Sequence, residues 1–123
     1  MLYDRILVGF DGSTTAAAAV ARAVQVAQVT DASLTILHVG GESATQILEA
    51  EATRFADSGV TITSVVRPGD PATVLTDAAE QEGYDLLVVG NKGMKGAARF
   101  FLGSVPNKIS HHARCSLLIV RTT

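Results

Sequence analysis

Residues 84–104 read YDLLVVGNKGMKGAARFFLGS. The apolar run Leu86-Leu87-Val88-Val89 breaks at Gly90, and Gly93, Gly96 and Gly103 follow, with Lys92, Lys95 and Arg99 between them and no acid. The run is continuous rather than alternating, which is the pattern of a strand buried on both faces of a parallel sheet. Glycine costs backbone entropy and needs a reason. Either the chain turns tightly or its backbone approaches something closely.

The rest of the chain repeats strand and helix around this stretch. Ile6-Leu7-Val8 is a second continuous apolar run, ended by Gly9 and the polar Asp11-Gly12-Ser13. Ser13 suits the N-cap of a following helix with Val20, Val24 and Ala27 on one face. SLTILHV (33–39) reads as the next strand, ended by Gly40-Gly41. Ser43 and Gln46 have the spacing of a capping box. Leu48, Ala52, Phe55 and Ala56 mark the buried stripe of that helix, and Gly59 is placed to close it at C′. VTITSVV (60–66) alternates apolar with polar and belongs at a sheet edge. Asp70-Pro71 reads as N-cap and first helical residue. Val74, Leu75, Ala78 and Ala79 follow at helical spacing, and Gly83 ends the helix before the strand at 84–90. Val105, Ile109, His112 and Ala113 predict a fourth helix, and SLLIV (116–120) a fifth strand.

Five strands with four intervening helices predict an α/β fold: an open, doubly wound, five-stranded parallel sheet with helices on both faces. One reversal of winding permits the order 3-2-1-4-5 or 2-1-3-4-5. The alternating third strand favours the first order, which leaves it at an edge. Strands 1 and 4 are then neighbours whose connections leave in opposite directions. Ligands bind in such sheets at the crevice between those carboxyl ends, and Asp11 and Gly90 both fall there.

Composition narrows the classes of function. The chain has 123 residues and 47% hydrophobic content, enough for one domain, 1–123, with a full core. A net charge of −2 gives no basic field for nucleic acid, and 5% aromatic content without Trp argues against stacking platforms for single strands. The single Cys115 excludes an internal disulfide and fits a reducing compartment. MLYDRILVGF at the N-terminus does not read as a signal peptide, and no apolar run approaches a membrane span. The expectation is a soluble cytoplasmic protein with no nucleic-acid or membrane partner.

Gly90, Gly93, Gly103 and Ser104 form the pattern G-x2-G-x9-G-S. At this composition, chance placement would produce it in roughly one chain in a hundred. Free backbone N–H groups at glycines can form an anion nest, and Gly103-Ser104 opens the fourth helix, whose N-terminus offers further donors. Pro106 in the first turn agrees with that start. Lys92, Lys95, Arg99 and Lys108 add four positive charges with no acid from 90 to 108. The alternative is a flexible glycine loop with solvated cations. G-x-x-x-x-G-K-[ST] and G-x-G-x-x-G are both absent, so the chain does not read as a P-loop enzyme or a dinucleotide dehydrogenase.

These motifs resemble the universal stress protein family over essentially the whole chain. Its nucleotide-binding branch carries G-x2-G-x9-G-[ST] on a Rossmann-like 3-2-1-4-5 sheet. VGFDGS (8–13) resembles the family's first loop, LHV (37–39) its second strand end, and CSLLIV (115–120) its last strand. The resemblance implies an ATP-binding, nucleotide-responsive regulator of the stress response that forms a homodimer through strand 116–120. It implies a nucleotide site made from Gly9, Phe10, Asp11, Val39, Gly90, Lys92, Gly93, Gly103, Ser104 and Val105. Asp11 and the Val39 backbone would face adenine and ribose, and Gly90 would lie near the ribose. Gly93, Gly103, Ser104 and the Val105 amide would hold phosphates, with Mg2+ entering beside Asp11. There are two departures. GGESA (40–44) is short for the family, and Ser116 follows Cys115 where proline is common.

Individual residues carry competing readings. Asp11 reads as a ligand contact to ribose or Mg2+, or as a turn residue capping a helix. His38 reads as a packed core histidine, and Cys115 as a buried neutral thiol. His111 and His112 point about 100° apart on a helix and make no i, i+4 metal pair. No Ser, His and acid assemble by spacing, and no catalytic residue is assigned. Hydrolysis of ATP is expected to be slow at most. Three alternatives remain beside an ATP-binding regulator: a cyclic AMP-binding module, a slow ATPase, and a nucleotide-independent dimeric interaction protein.

Overall fold

The computed structural model describes residues 2–40, 45–91, 107–110 and 113–122. Its elements run β1 (Arg5–Gly9), α1 (Thr14–Thr30), β2 (Ser33–Val39), α2 (Thr45–Arg54), β3 (Ile62–Arg67), α3 (Pro71–Gln81), β4 (Leu86–Gly90) and β5 (Ser116–Val120). The strands form one sheet in the order β3-β2-β1-β4-β5, and every pairing is parallel. Val8 lies between Ile36 of β2 and Val88 of β4. The order with β3 at an edge is therefore the one adopted.

Successive residues of a strand point to opposite faces, so each apolar run feeds two cores. Ile6, Val8, Leu34, Ile36, Leu86 and Val88 face α1 and Leu48 of α2. Leu7, Leu37, Leu87 and Val89 face Ala72, Leu75, Ala78 and Ala79 of α3, together with Ile109. Residues 6–8 and 86–89 are buried throughout, which is why β1 and β4 read as continuous apolar runs.

The helix ends follow from capping chemistry. Ser13 Oγ accepts from the Ala16 N–H at 3.1 Å at the head of α1. At its foot Asp31 takes a left-handed conformation (φ 60°) and the Ala32 N–H bonds the Ala27 carbonyl. Asp70 caps α3 by accepting from the Thr73 N–H at 3.0 Å, and Pro71 takes the first turn. Gly83 ends α3 with φ +74°, and the Tyr84 N–H bonds the Ala79 carbonyl. At the amino end of the sheet, the Asp85 carboxylate accepts from the backbone N–H groups of Asp4 (2.9 Å) and Arg5 (3.2 Å), fixing β4 against β1.

Four details differ from the expectations. α2 ends at Arg54, short of Ala56. The N–H groups of Phe55 and Ala56 bond carbonyls three residues back, tightening the chain out of the α-helix and leaving Ala56 exposed. Gly59 is left-handed (φ +82°) but lies five residues past the helix, where it turns the chain toward β3 instead of acting as C′. β3 begins at Ile62 rather than residue 60 because the Val60 N–H is taken by Ser58 Oγ. β4 begins at Leu86, because Tyr84 and Asp85 are used by the α3 cap and by β1.

Residues 107–110 are helical, Ile109 is fully buried, and the Ala113 N–H bonds the Ile109 carbonyl at 2.8 Å. Ser43 of the expected capping box, and Val105 and His112 of the fourth helix, lie outside the described residues. No helix among the described residues is long and apolar enough to cross a membrane.

Candidate functional site

Three strands end side by side at the carboxyl edge of the sheet. β1 ends at Gly9, β2 at Val39 and β4 at Gly90. The sheet reverses its winding between β1 and β4, so a crevice opens there. Gly9, Phe10, Asp11, Val39 and Gly90 are all brought to this edge. Lys92, Gly93, Gly103, Ser104 and Val105 lie outside the described residues.

The β1 exit is built tightly. The Phe10 N–H donates to the Leu37 carbonyl at 3.0 Å, extending the β1–β2 pairing by one residue. The Phe10 ring belongs to the α1-side core and is 4% exposed, so only its backbone faces the crevice. Asp11 is half-buried, and its Oδ1 accepts from the Ser13 N–H at 2.9 Å. That bond closes an Asx turn ahead of α1, so Asp11 is a turn residue, while the helix cap itself is Ser13 and not Asp11. The bond also fixes the carboxylate at the head of α1, at the mouth of the crevice.

The β2 exit places a histidine that the sequence alone assigns to the core. His38 is half-buried, and its Nδ1 lies 2.8 Å from the Phe10 carbonyl oxygen. A carbonyl only accepts, so Nδ1 carries the proton and donates. The other ring nitrogen lies so close to Gly40 that a Cβ there would stand 2.9 Å from Nε2. His38 is thus a brace between the β1 and β2 exits, because the strand ends leave its face of the sheet only partly covered.

Gly90 answers the question of why the β4 run breaks. A Cβ at this position would stand 2.4 Å from Thr15 Cγ2 and 3.1 Å from the Thr15 carbonyl oxygen. Glycine is needed for close packing of α1 on the sheet, independently of any ligand. The small α1 face of Ala16, Ala19 and Ala23 permits the same close approach along the helix.

The next residue is one that sequence reasoning passed over. Asn91 is 5% exposed. Its N–H donates to the Val120 carbonyl at 2.8 Å, and its Oδ1 accepts from the Thr122 N–H at 3.1 Å. Thr122 Oγ1 lies 3.4 Å from the same Oδ1 and 3.2 Å from Thr15 Oγ1. These bonds join the exits of β4 and β5 to the first turn of α1. The available signal was a polar amide directly after a buried strand, where an unpaired polar group would be costly.

Lys108 and Arg114 are engaged in ion pairs at α3. Lys108 Nζ lies 3.6 Å from Asp70 Oδ2, and Arg114 pairs with Glu80 at 3.2 Å. Both pairs flank a cleft of about 320 Å3 between α3 and the side chains of Lys108 and Arg114, lined also by Thr73, Thr76 and Asp77. This cleft lies on the α3 face, away from the Asp11–Gly90 crevice. Thr73, through its N–H and hydroxyl, holds the Asp70 carboxyl below its ordinary range, with Lys108 adding to the effect. Arg67 makes two hydrogen bonds to Glu82, which lower the Glu82 carboxyl and raise the guanidinium. Burial pushes the half-buried Cys115 thiol up, consistent with a neutral sulfur. Among the described residues, no group of three or more His, Cys, Asp or Glu side chains is placed to hold a metal ion.

Comparison with known proteins covers the whole arrangement. The model of the universal stress protein family matches residues 2–48 and 40–121. The two matches overlap at residues 40–48, across the β2–α2 connection. Universal stress protein YxiE of Bacillus subtilis (strain 168) is 31% identical over 148 aligned positions, covering 98% of this chain and all of the relative. A crystal structure of a universal stress protein in complex with cAMP superposes with a TM-score of 0.84 at 34% identity, over 98% of both chains. The structure of MJ0577 superposes with a TM-score of 0.88 at 22% identity, over 100% of this chain and 99% of that one, and shows the shared fold. The sheet order, the strand-end crevice and these matches agree, and the chain belongs to the universal stress protein family.

Proposed function

We propose that this chain binds an adenine nucleotide, ATP foremost, at the crevice between the β1 and β4 exits, and acts as a nucleotide-responsive regulator in the stress response. The observation that carries the proposal is the meeting of Asp11, Val39 and Gly90, the first residue of the glycine motif, at one sheet edge. The cAMP complex of a relative 34% identical supports an adenine nucleotide. In this reading Asp11 and the backbones of Gly9, Phe10 and Val39 face adenine and ribose. The Gly90 contribution comes from its backbone, since Thr15 accounts for its missing side chain. Lys92, Gly93, Gly103, Ser104 and the Val105 amide hold phosphates by the motif. Asp11 is an oxygen donor suited to Mg2+. A single carboxylate does not hold the ion alone, so Mg2+ arrives with the nucleotide phosphates. No residue is assigned to catalysis, and hydrolysis is slow at most.

The single-domain chain works in the cytoplasm as a homodimer through β5. Leu117, Leu118 and Ile119 are half-buried along that sheet edge and carry no charge to blunt it. A second reading, a cyclic AMP-binding module, is favoured specifically by the cAMP-bound relative. Mass spectrometry of nucleotide released by denaturing freshly purified protein separates the readings. ATP supports the first and cyclic AMP the second. An absence of nucleotide, with no binding on titration, would leave a nucleotide-independent interaction protein.

A further inference from the structure

We infer that Ile47 is a specificity-determining residue of the proposed nucleotide site, the apolar surface against which the base rests. The inference deepens the nucleotide reading and rests on it. Among the described residues, Leu2, Val29 and Ile47 are large apolar side chains left exposed. Single exposures of this kind are ordinary, so position decides what each can do. Leu2 precedes β1 and Val29 lies in the last turn of α1, both at the amino edge of the sheet. Ile47 lies in the first turn of α2, which follows β2 and so starts at the carboxyl edge, where β1, β2 and β4 end.

The neighbour of Ile47 at that edge is the turn between β1 and α1. A Cβ on Gly12 would stand 3.6 Å from Ile47 Cγ2 and 4.0 Å from its Cδ1, so the side chain reaches the turn at ordinary contact distance. Gly12 lies between Asp11 and Ser13, whose bond at 2.9 Å closes that turn. Leu48, the next residue of α2, is buried in the α1-side core and sets the rotation of the helix. Ile47 is thereby held beside the Asp11 turn with 48% of its surface open. The other apolar side chains at these two strand exits are less open. Phe10 and Leu37 are buried, and Val39 is half-buried against the α3-side core. A purine is a flat apolar surface with a polar edge, and sites for such ligands pair apolar side chains with a few placed polar groups. Asp11 and the backbones of Phe10 and Val39 supply the polar part, and Ile47 supplies the apolar part. Covering its open half with a base removes apolar surface from water. The contact is to the base, so adenosine and ATP share it.

Calorimetry of ATP and adenosine on wild type, Ile47→Ala and Ile47→Met tests the contact. Ile47→Ala should weaken both ligands by the same factor, about five- to tenfold. Ile47→Met keeps the apolar surface and should hold both within about twofold of wild type, with circular dichroism preserved in each variant. Unchanged affinities in Ile47→Ala, a loss confined to ATP, or equal losses in the two variants would overturn the inference. The chain has no Trp, so Ile47→Trp places a lone reporter at the same position and serves where Ile47→Ala fails to fold. Its emission should be quenched on saturation with adenosine, because base and indole stack. Emission unchanged at saturation would overturn the contact. A wild-type protein that binds neither ligand would overturn the nucleotide function itself, and the inference with it. Wild-type binding with indifferent Ile47 variants would overturn the base contact alone.

Discussion

Gly90 and Thr15 pack so closely that no side chain fits between them: a Cβ on Gly90 would stand 2.4 Å from Thr15 Cγ2. The glycine that ends β4 is thus accounted for by the seat of α1 on the sheet. Gly90→Ala should destabilise the fold by about 1–3 kcal/mol, the usual cost of overpacking. Thr15→Ser in the same background should recover part of the loss by removing Cγ2. The Thr15 carbonyl oxygen, 3.1 Å from the same Cβ, would keep the rescue incomplete. Denaturant midpoints of the two single variants and the double variant measure this coupling. Additive effects would separate the two residues.

Stability should fall in acid through two named carboxylates. Asp70 is lowered by its bonds to Thr73, and Glu82 by those from Arg67. A lowered folded pKa means that the contribution is fully present above the unfolded value, about 4, and is lost as pH falls through the folded value. Thermal melting from pH 7 to pH 3 should show this decline. Asp70→Asn keeps a capping oxygen but not the charge, so it should lower the melting temperature modestly at pH 7, converge on wild type below about pH 3 and flatten the curve between. A curve as steep as wild type would remove Asp70 from the account.

Cys115 should react slowly. Burial raises its pKa, so the thiolate that attacks alkylating agents is scarce at neutral pH. Iodoacetamide labelling at pH 7.5 should be slower in the folded chain than in the same chain in denaturant, by about tenfold or more. Equal rates would contradict a half-buried neutral thiol.

Much of this architecture is legible in the sequence because it rests on patterns with one physical cause. Continuous apolar runs at 6–8 and 86–89 mark doubly covered strands, and the polar positions Thr63 and Ser64 mark an edge. Asp70-Pro71 and Gly83 fix both ends of α3 by local chemistry alone. The misplacements have a different origin. The end of α2 depends on tightened turns at Phe55 and Ala56, which side-chain periodicity does not report. His38 looks apolar by its neighbours, yet the end of β2 leaves it only partly covered. Asn91 and Thr122 are 31 residues apart and meet only because β4 and β5 are neighbours. The motif reading singled out glycines and cations and had no means of pairing them. It grouped Lys108 with the phosphate-side cations, whereas folding brings Lys108 to Asp70.

Assembly through β5 makes its own prediction. The strand lies at a sheet edge with Leu117, Leu118 and Ile119 half-buried. A twofold axis would pair two copies antiparallel, an isologous contact. Light scattering should give a dimer mass for the wild type and a monomer for Ile119→Lys with its circular dichroism retained. A wild-type monomer across micromolar concentrations would rule out β5 pairing as a stable state.

The central claim is nucleotide binding at the Asp11–Gly90 crevice, and titration calorimetry of ATP into wild type and Gly103→Val tests it most directly. A bulky side chain in the motif would block close approach of the backbone. A lost charge-assisted hydrogen bond is worth about 1.5–3 kcal/mol, which corresponds to roughly ten- to a hundredfold in affinity. The account predicts saturable ATP binding by the wild type and a loss of that size in Gly103→Val, with unchanged circular dichroism. No ATP binding by the wild type, or equal affinity in both proteins, would contradict it.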